Sequence, residues 1–206
     1  VALAGTLIAS ACGPTLEAQD EAAAASLGQE IRGGTLDQGD PAVVALAVKN
    51  GQYYEQFCTG TLIGAKTVLT AAHCINAYGA GTFYYVLFGQ NADAPTLRVH
   101  VKTQVKNPKY RGDAYDFGIM QLDDVVTGIT PIEINTTPMS GADVGRTIRH
   151  AGFGTTNGQS GSGLKREVTF NVRQVTSTLI ESGATGKQTC GGDSGGPAFM
   201  TFGGST

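Results

Sequence analysis

The sequence has little charge, no tryptophan and no block of basic residues. Asp, Glu, Lys and Arg make up 15% of the 206 residues and the formal net charge is −3, whereas an average globular domain has roughly 25% charged residues. The lack of a basic patch argues against a nucleic-acid partner. No apolar run reaches the ~20 residues that a membrane-spanning helix requires. The three histidines and four cysteines do not have the spacing of zinc ligands, so we expect no metal and no other cofactor.

The first 30 residues are predicted to direct export rather than to belong to the folded domain. Val1–Cys12 is the longest apolar run, and it resembles the apolar part of a secretory signal. Ala9-Ser10-Ala11 is an A-x-A cleavage site, and Cys12 directly after it resembles the lipidated cysteine of bacterial lipoproteins. Residues 13–30 are rich in Ala, Glu and Gln and are predicted to form a pro-segment or linker. We therefore expect an exported protein of the extracellular space or bacterial cell envelope, with Cys12 as a candidate site for a lipid that anchors it to a membrane.

From residue 31 onward the sequence is typical of an all-β protein. Short stretches rich in Val, Thr, Ile, Phe and Tyr recur, and Gly, Asn, Asp or Pro clusters separate many of them. The chain contains 30 glycines, about twice the average share of ~7%, which suits tight turns between strands. No long stretch has the 3.6-residue period of a helix. The pattern predicts a β-barrel or β-sandwich.

Ser194 is the strongest candidate nucleophile, because it lies between glycines that let backbone amides approach a substrate. A serine hydroxyl needs a base to take its proton. In the α/β-hydrolases, which also carry a G-x-S-x-G motif, the acid and the histidine follow the serine, but residues 195–206 contain no His, Asp or Glu. The partners of Ser194 must therefore lie upstream of it.

Two motifs carry a resemblance to a known family. Thr70-Ala71-Ala72-His73-Cys74 and Gly192-Asp193-Ser194-Gly195-Gly196-Pro197, in this order, resemble the trypsin/chymotrypsin family of serine endopeptidases, of the short bacterial secreted type. The resemblance implies that His73, as the base, Asp116 and Ser194 form the catalytic triad. Asp116 is preferred over Asp113 as the residue that orients the histidine, because in the family the acid directly precedes an apolar stretch, as Asp116 does here. It also implies that the amides of Gly192 and Ser194 form the oxyanion hole.

The same resemblance implies a chymotrypsin-like fold of two antiparallel six-stranded β-barrels. Residues 31–125 are expected to form the first barrel and residues 126–206 the second, which we expect to be incomplete because the family continues for further strands after the serine motif. A disulfide between Cys58 and Cys74 is implied as well, and such a bond requires an oxidising compartment. The partner of Cys190 stays open, with Cys12 as one candidate.

The family's activation and specificity residues can also be placed on this chain by resemblance. Cleavage after Glu30 would free the amine of Ile31 to pair with Asp193, as in a zymogen, and Gln188 would lie at the base of the primary specificity pocket. A Gln there cannot supply the charge that selects Arg or Lys. The expected partners are polypeptide substrates and protein protease inhibitors. The alternative function is an inactive pseudoprotease that serves as an extracellular binding module.

Overall fold

The computed structural model describes residues 34–79, 81–112, 114–155, 163–184 and 187–202. Cys12 and Ile31, and with them the predicted signal and activation segment, lie outside these residues. The described part of the chain forms eleven β-strands. They are β1 (Thr35–Leu36), β2 (Val43–Asn50), β3 (Tyr53–Gly64), β4 (Thr67–Thr70), β5 (Tyr84–Phe88), β6 (Leu97–Lys106), β7 (Gly118–Leu122), β8 (Thr147–Gly152), β9 (Arg166–Val175), β10 (Ile180–Gly183) and β11 (Ala198–Phe199).

Strands β2 to β7 form a closed six-stranded barrel in the order β2-β3-β4-β7-β6-β5. All neighbouring strands are antiparallel. Because the order is closed, every strand pairs on both sides and the barrel has no open edge. Leu46, Leu62, Val86 and Met120 fill its interior and are fully buried. The expectation of an all-β fold with a six-stranded first barrel is confirmed.

Strand β2 is apolar on both of its faces, because each face packs against a different part of the protein. Six consecutive residues, Val43–Val48, are buried, although side chains alternate between the two faces of a strand. Val44, Leu46 and Val48 point into the barrel. Val43, Ala45 and Ala47 pack outside it with Phe153 and Ala151 of the second half of the chain. The run therefore carries both the barrel core and the interface with the second half.

The second half forms a five-stranded antiparallel sheet, so the expected second barrel is not confirmed in the described residues. The strand order is β1-β9-β8-β11, and β10 pairs with the part of β9 beyond β1. Ile148, Val168, Phe170 and Val172 form its buried core. Strand β1, although it precedes the first barrel in sequence, belongs to this sheet through its pairing with β9.

A group of charged side chains fastens the segment after β1 to this sheet. Lys165 and Asp37 are each 2% exposed, and Lys165 Nζ lies 3.8 Å from Asp37 Oδ2. Arg149 joins Asp40 and Glu167, at 2.5 and 2.7 Å. Burial raises the pKa of the Asp37 carboxyl and lowers the pKa of the Lys165 ammonium. The three carboxylates lie close enough together to face a cation, but the two basic side chains already supply the positive charge.

No helix in the described ranges has the length and apolar character needed to cross a membrane.

Candidate active site

The side chains of His73 and Asp116 meet at one rim of the barrel. His73 lies in a short 3₁₀ turn, Ala72–Cys74, directly after β4, and Asp116 precedes β7 by two residues. Strands β4 and β7 are paired, with Thr70 opposite Gly118, so their ends bring the two residues together. Tyr115, the residue before Asp116, has φ +57°. A non-glycine residue rarely adopts this left-handed conformation.

The Asp116 carboxylate binds His73 at two points. Its Oδ1 accepts a hydrogen bond from the His73 backbone amide at 2.9 Å, and its Oδ2 lies 2.7 Å from Nδ1 of the ring. Because a carboxylate can only accept, Nδ1 carries the proton and Nε2 of the neutral ring is left as an acceptor. The His73 side chain is 45% exposed, so Nε2 is available to a substrate-side group. Asp113, the alternative acid, lies outside the described residues.

The close approach that makes this pair possible depends on Gly118. A Cβ at this position would lie 2.6 Å from Cγ1 of Ile75 and 3.0 Å from the Val105 carbonyl oxygen. Ile75 directly follows the turn that carries His73. A side chain at residue 118 would therefore push this turn away from the residues that lead to Asp116.

Ser194 lies on the chain segment that passes beside the same rim. Its carbonyl accepts a hydrogen bond from the Thr59 amide of β3 at 2.9 Å, and Cys74 Sγ is 3.7 Å from that carbonyl. Gly195 follows with φ +81°, and a Cβ there would lie 2.1 Å from Thr70 Oγ1. The serine backbone is thus packed against the residues on either side of His73. Within the described ranges, no hydrogen bond joins the His73 ring to the Ser194 hydroxyl.

The backbone around Gly192 is held so that two amides remain available. Gly192 has φ +97°, and its carbonyl accepts hydrogen bonds from Thr59 Oγ1 at 2.8 Å and from Gln56 Nε2 at 3.2 Å. Among the described residues, neither the Gly192 nor the Ser194 amide donates to a protein acceptor. Two unpaired amides beside a serine are what an oxyanion-binding site requires. The sequence did not identify Gln56 and Thr59, because no motif marks a supporting residue more than 130 positions away.

Asp193 is buried beneath this loop. Its carboxylate accepts from the Gly154 amide at 2.7 Å and from the Cys190 amide at 2.9 Å, and the residue is 8% exposed. Burial raises the pKa of the carboxyl, and the two amide hydrogen bonds partly oppose this effect. Ile31, the predicted partner of Asp193, lies outside the described residues.

The disulfide between Cys58 and Cys74 is confirmed, with an S–S distance of 2.00 Å. It joins β3 to the turn that carries His73. A ring nitrogen of His73 lies within 4.8 Å of both sulfurs. Because each sulfur is bonded to the other, this group cannot serve as a set of thiolate metal ligands.

The structure also places Gln188 and the two other histidines of the chain. Gln188, the predicted specificity residue, is half-buried and two positions before Cys190. His100 in β6 lies 2.5 Å from Asp123, through Nδ1 and Oδ2. His150 in β8 faces Ser182, with Nε2 2.9 Å from Oγ. Neither of these two histidines contacts Ser194 in the described part of the chain.

Comparison with known proteins gives one matching family and several similar proteins. A family model described as Trypsin matches residues 31–204. The chain is similar to chymotrypsin-like elastase family member 1 of Bos taurus, at 28% identity over 181 residues that cover 76% of this chain and 67% of the relative. It is 33% identical to a chymotrypsin of Phaedon cochleariae (69% and 59% covered) and 30% identical to granzyme M of Homo sapiens (84% and 74% covered). The chain spans about half to three quarters of the length of the curated relatives it matches. The relatives named above are animal proteins, so the bacterial character expected from the sequence stays a prediction.

Proposed function

Because the chain belongs to the trypsin family, we propose that it is a serine endopeptidase that hydrolyses peptide bonds through an acyl-enzyme. The observation that carries this proposal is the doubly hydrogen-bonded His73–Asp116 pair beside the backbone of Ser194. The pair supplies an oriented base, and the neighbouring loop supplies a serine with two unpaired amides. These are the parts that nucleophilic acyl transfer requires.

In the proposed mechanism, substrate binding brings Ser194 Oγ and His73 Nε2 together. As Oγ attacks the carbonyl carbon, Nε2 takes the hydroxyl proton, and Asp116 stabilises the resulting imidazolium through its contact with Nδ1. The amides of Gly192 and Ser194 hold the negative charge on the tetrahedral intermediate. His73 then protonates the leaving amine as the peptide C–N bond breaks. In the second half of the reaction, His73 Nε2 takes a proton from a water molecule as it attacks the acyl carbon, and returns this proton to Ser194 Oγ as the ester bond breaks and the acid product leaves.

The test is labelling with a fluorophosphonate, which reacts with an activated serine. We expect labelling of the wild-type protein and none after Ser194→Ala. His73→Ala should lose labelling without loss of folding, because its side chain is largely exposed. A wild-type protein that folds but does not label or cleave peptides would contradict the proposal and favour the alternative, a pseudoprotease that only binds other proteins.

The substrate side of the proposal follows from Gln188. If this residue lines the primary pocket, no carboxylate faces the substrate there, and a strict preference for Arg or Lys is not expected. Polypeptides are the proposed substrates and protein protease inhibitors the proposed partners. A peptide library that varies the residue before the cleaved bond would measure the preference directly, and selective cleavage after Arg or Lys would contradict this assignment.

The proposal extends to export and activation. The confirmed disulfide suits an oxidising compartment, which agrees with the secretory or lipoprotein-like signal that ends at Cys12. Residues 31–125 and 126–206 are proposed as the two halves of the protease. We further propose that a different protease cuts after Glu30 and that the Ile31 amine then pairs with the buried Asp193 carboxylate. Amino-terminal sequencing of active protein tests this step, since an active form that begins before Ile31 would rule it out.

A further inference from the structure

Two consecutive glycines precede Asp193, and hydrogen bonds to their carbonyls hold them in place. Gly191 and Gly192 have no side chain that could anchor them, and Gly192 has φ +97°, a conformation that glycine adopts without strain. The Gly191 carbonyl accepts a hydrogen bond from the Thr155 amide at 2.8 Å. The Gly192 carbonyl accepts from Thr59 Oγ1 at 2.8 Å and from Gln56 Nε2 at 3.2 Å. The position of the Gly192 amide therefore depends on donors that come from elsewhere in the chain.

The Thr59 hydroxyl makes the more directed of the two side-chain hydrogen bonds to Gly192. Thr59 is fully buried, and its Oγ1 accepts from the Phe153 amide at 3.1 Å. Because a backbone amide can only donate, the single hydroxyl proton is left for the Gly192 carbonyl. The Gln56 side chain, in contrast, is half-buried, and its amide also donates to the Cys58 carbonyl at 3.2 Å. The hydroxyl is therefore the main anchor of the Gly192 carbonyl.

Thr59 also contacts Ser194, the second residue whose amide would bind the oxyanion. Its backbone amide donates to the Ser194 carbonyl at 2.9 Å. This backbone hydrogen bond does not need the threonine side chain, so it is retained when another β-branched residue replaces Thr59 in β3. The two contacts can therefore be separated by mutation. Removal of the hydroxyl should disturb the Gly192 amide and leave Ser194 in place.

We propose that Thr59, with a smaller contribution from Gln56, is a positioning residue for the oxyanion hole. Its hydroxyl links the Phe153 amide of the second half to the Gly192 carbonyl, and so it fixes the Gly192 amide before a substrate binds. The oxyanion forms only as the serine attacks, so a misplaced donor weakens binding of the transition state and not of the substrate. This inference rests on the proposed protease function.

The experiment compares Thr59→Val, which keeps the branched shape but loses the hydroxyl, with Thr59→Ser, which keeps the hydroxyl. Each variant is assayed for kcat and KM on the peptide that the wild-type protein cleaves best. Inhibition is measured with the trifluoromethyl ketone of this peptide, which an active serine attacks to form a tetrahedral oxyanion, and with the matching peptide alcohol, which forms no such adduct. All rates are expressed per folded protein, which urea unfolding measures.

We expect Thr59→Val to lower kcat roughly 10-fold and to weaken inhibition by the ketone by a similar factor, the value of about one neutral hydrogen bond. KM and the inhibition constant of the alcohol should stay within about twofold, because neither depends on the oxyanion hole. Thr59→Ser should recover most of the lost kcat. A purely structural role of the hydroxyl would not separate the ketone from the alcohol.

The matched control is Thr67→Val, at the end of β4 away from His73. It also loses a hydroxyl hydrogen bond, because Thr67 Oγ1 accepts from Gln121 Nε2 at 3.0 Å, and it should behave as wild type. If Thr59→Val does not fold, Gln56→Met decides, because this residue is only half-buried and the change removes the other donor to Gly192. We expect Gln56→Met to lower kcat about threefold at unchanged KM.

The inference is wrong if Thr59→Val and Gln56→Met keep the wild-type kcat and ketone inhibition, or if Thr59→Ser loses as much kcat as Thr59→Val. It is also wrong if KM and the inhibition constant of the alcohol rise as much as kcat falls, because the hydroxyl would then support the whole site and not its oxyanion hole. A wild-type protein that neither labels with a fluorophosphonate nor binds the ketone more tightly than the alcohol gives a different result, which rejects the proposed function and this inference with it.

Discussion

Gly154 is a position where one added methyl group should damage the nucleophile loop, the segment of residues 190–196 that carries Ser194. A Cβ at residue 154 would lie 2.5 Å from both Cγ and Oδ2 of Asp193. An ordinary contact needs about 3.4 Å or more, so the carboxylate would have to move by roughly 1 Å. It cannot swing freely, because the amides of Gly154 and Cys190 hold its two oxygens. Since Asp193 directly precedes Ser194, the displacement is passed to the serine and to its amide.

The expected cost of Gly154→Ala can be worked out in two parts. Overpacking a closed site costs about 1–3 kcal/mol, and weakening a hydrogen bond to a buried carboxylate costs about 1–3 kcal/mol more. We therefore expect the free energy of unfolding to fall by roughly 2–6 kcal/mol. A displacement near 1 Å at the reacting atoms can cost about 100-fold in rate, so kcat/KM should drop by at least that factor in the protein that remains folded.

The assay for Gly154→Ala is urea unfolding together with the rates of fluorophosphonate labelling and peptide hydrolysis. The control is Gly141→Ala, because a Cβ at Gly141 meets no atom within 4 Å and the glycine lies in a short 3₁₀ turn, Gly141–Asp143, that is not part of the loop. The control should keep wild-type stability and rates. If Gly154→Ala labels at the wild-type rate and unfolds at the same urea concentration, the buried carboxylate does not set the position of the serine and the reasoning fails.

Three further predictions follow from the same geometry. Replacing both Cys58 and Cys74 by Ser opens a loop of 16 residues and should lower the free energy of unfolding by ~3 kcal/mol, seen as a lower thermal midpoint under non-reducing conditions; an unchanged midpoint would contradict it. Asp116→Asn should keep the fold but lower kcat by roughly 10⁴-fold, the value known for this enzyme family, because an amide can hold His73 in the wrong tautomer. A kcat within tenfold of wild type would contradict this prediction. The pKa of His150 is about 4 in the folded protein and ~6.5 when unfolded, so its neutral form contributes stability above pH 6.5 that is lost as the pH falls to 4, on the order of 3 kcal/mol. Urea unfolding at several pH values should show this slope in the wild type but a smaller one in His150→Phe, and equal slopes would contradict it.

Local sequence patterns predicted the all-β fold for physical reasons, whereas the first barrel and the His73–Asp116 pair were predicted from the family resemblance. Alternating or continuous apolar residues, as in β2 and β7, report which faces of a strand are buried, and that information is local. The family motifs predicted the roles of His73 and Asp116, and the pairing of β4 with β7 brings the two residues together. The disulfide between Cys58 and Cys74 followed from the resemblance, and the structure confirms it.

The features that the sequence did not indicate depend on contacts between distant segments. Strand β1 has only two residues, too few for a periodic pattern. The segment after it is held by Lys165 through Asp37, and this lysine looks like an ordinary surface charge in the sequence. Gly154 looks like a turn residue, yet a carboxylate 39 positions away occupies the space that its side chain would need. The incomplete second barrel stays a prediction for a related reason, since closure depends on edge pairing that no single segment encodes.

The nucleophile loop takes its shape from both halves of the chain at once. From the barrel, Thr59 binds the carbonyls of Gly192 and Ser194. From the second sheet, Gly154 binds the carboxylate of Asp193, between those two residues. The two halves meet through Val43 and Phe153, which pack in one buried cluster. The His73–Asp116 pair needs only the barrel, but a serine with two open amides needs the barrel and the sheet packed together, so the proposed chemistry depends on the interface between them and not on either half alone.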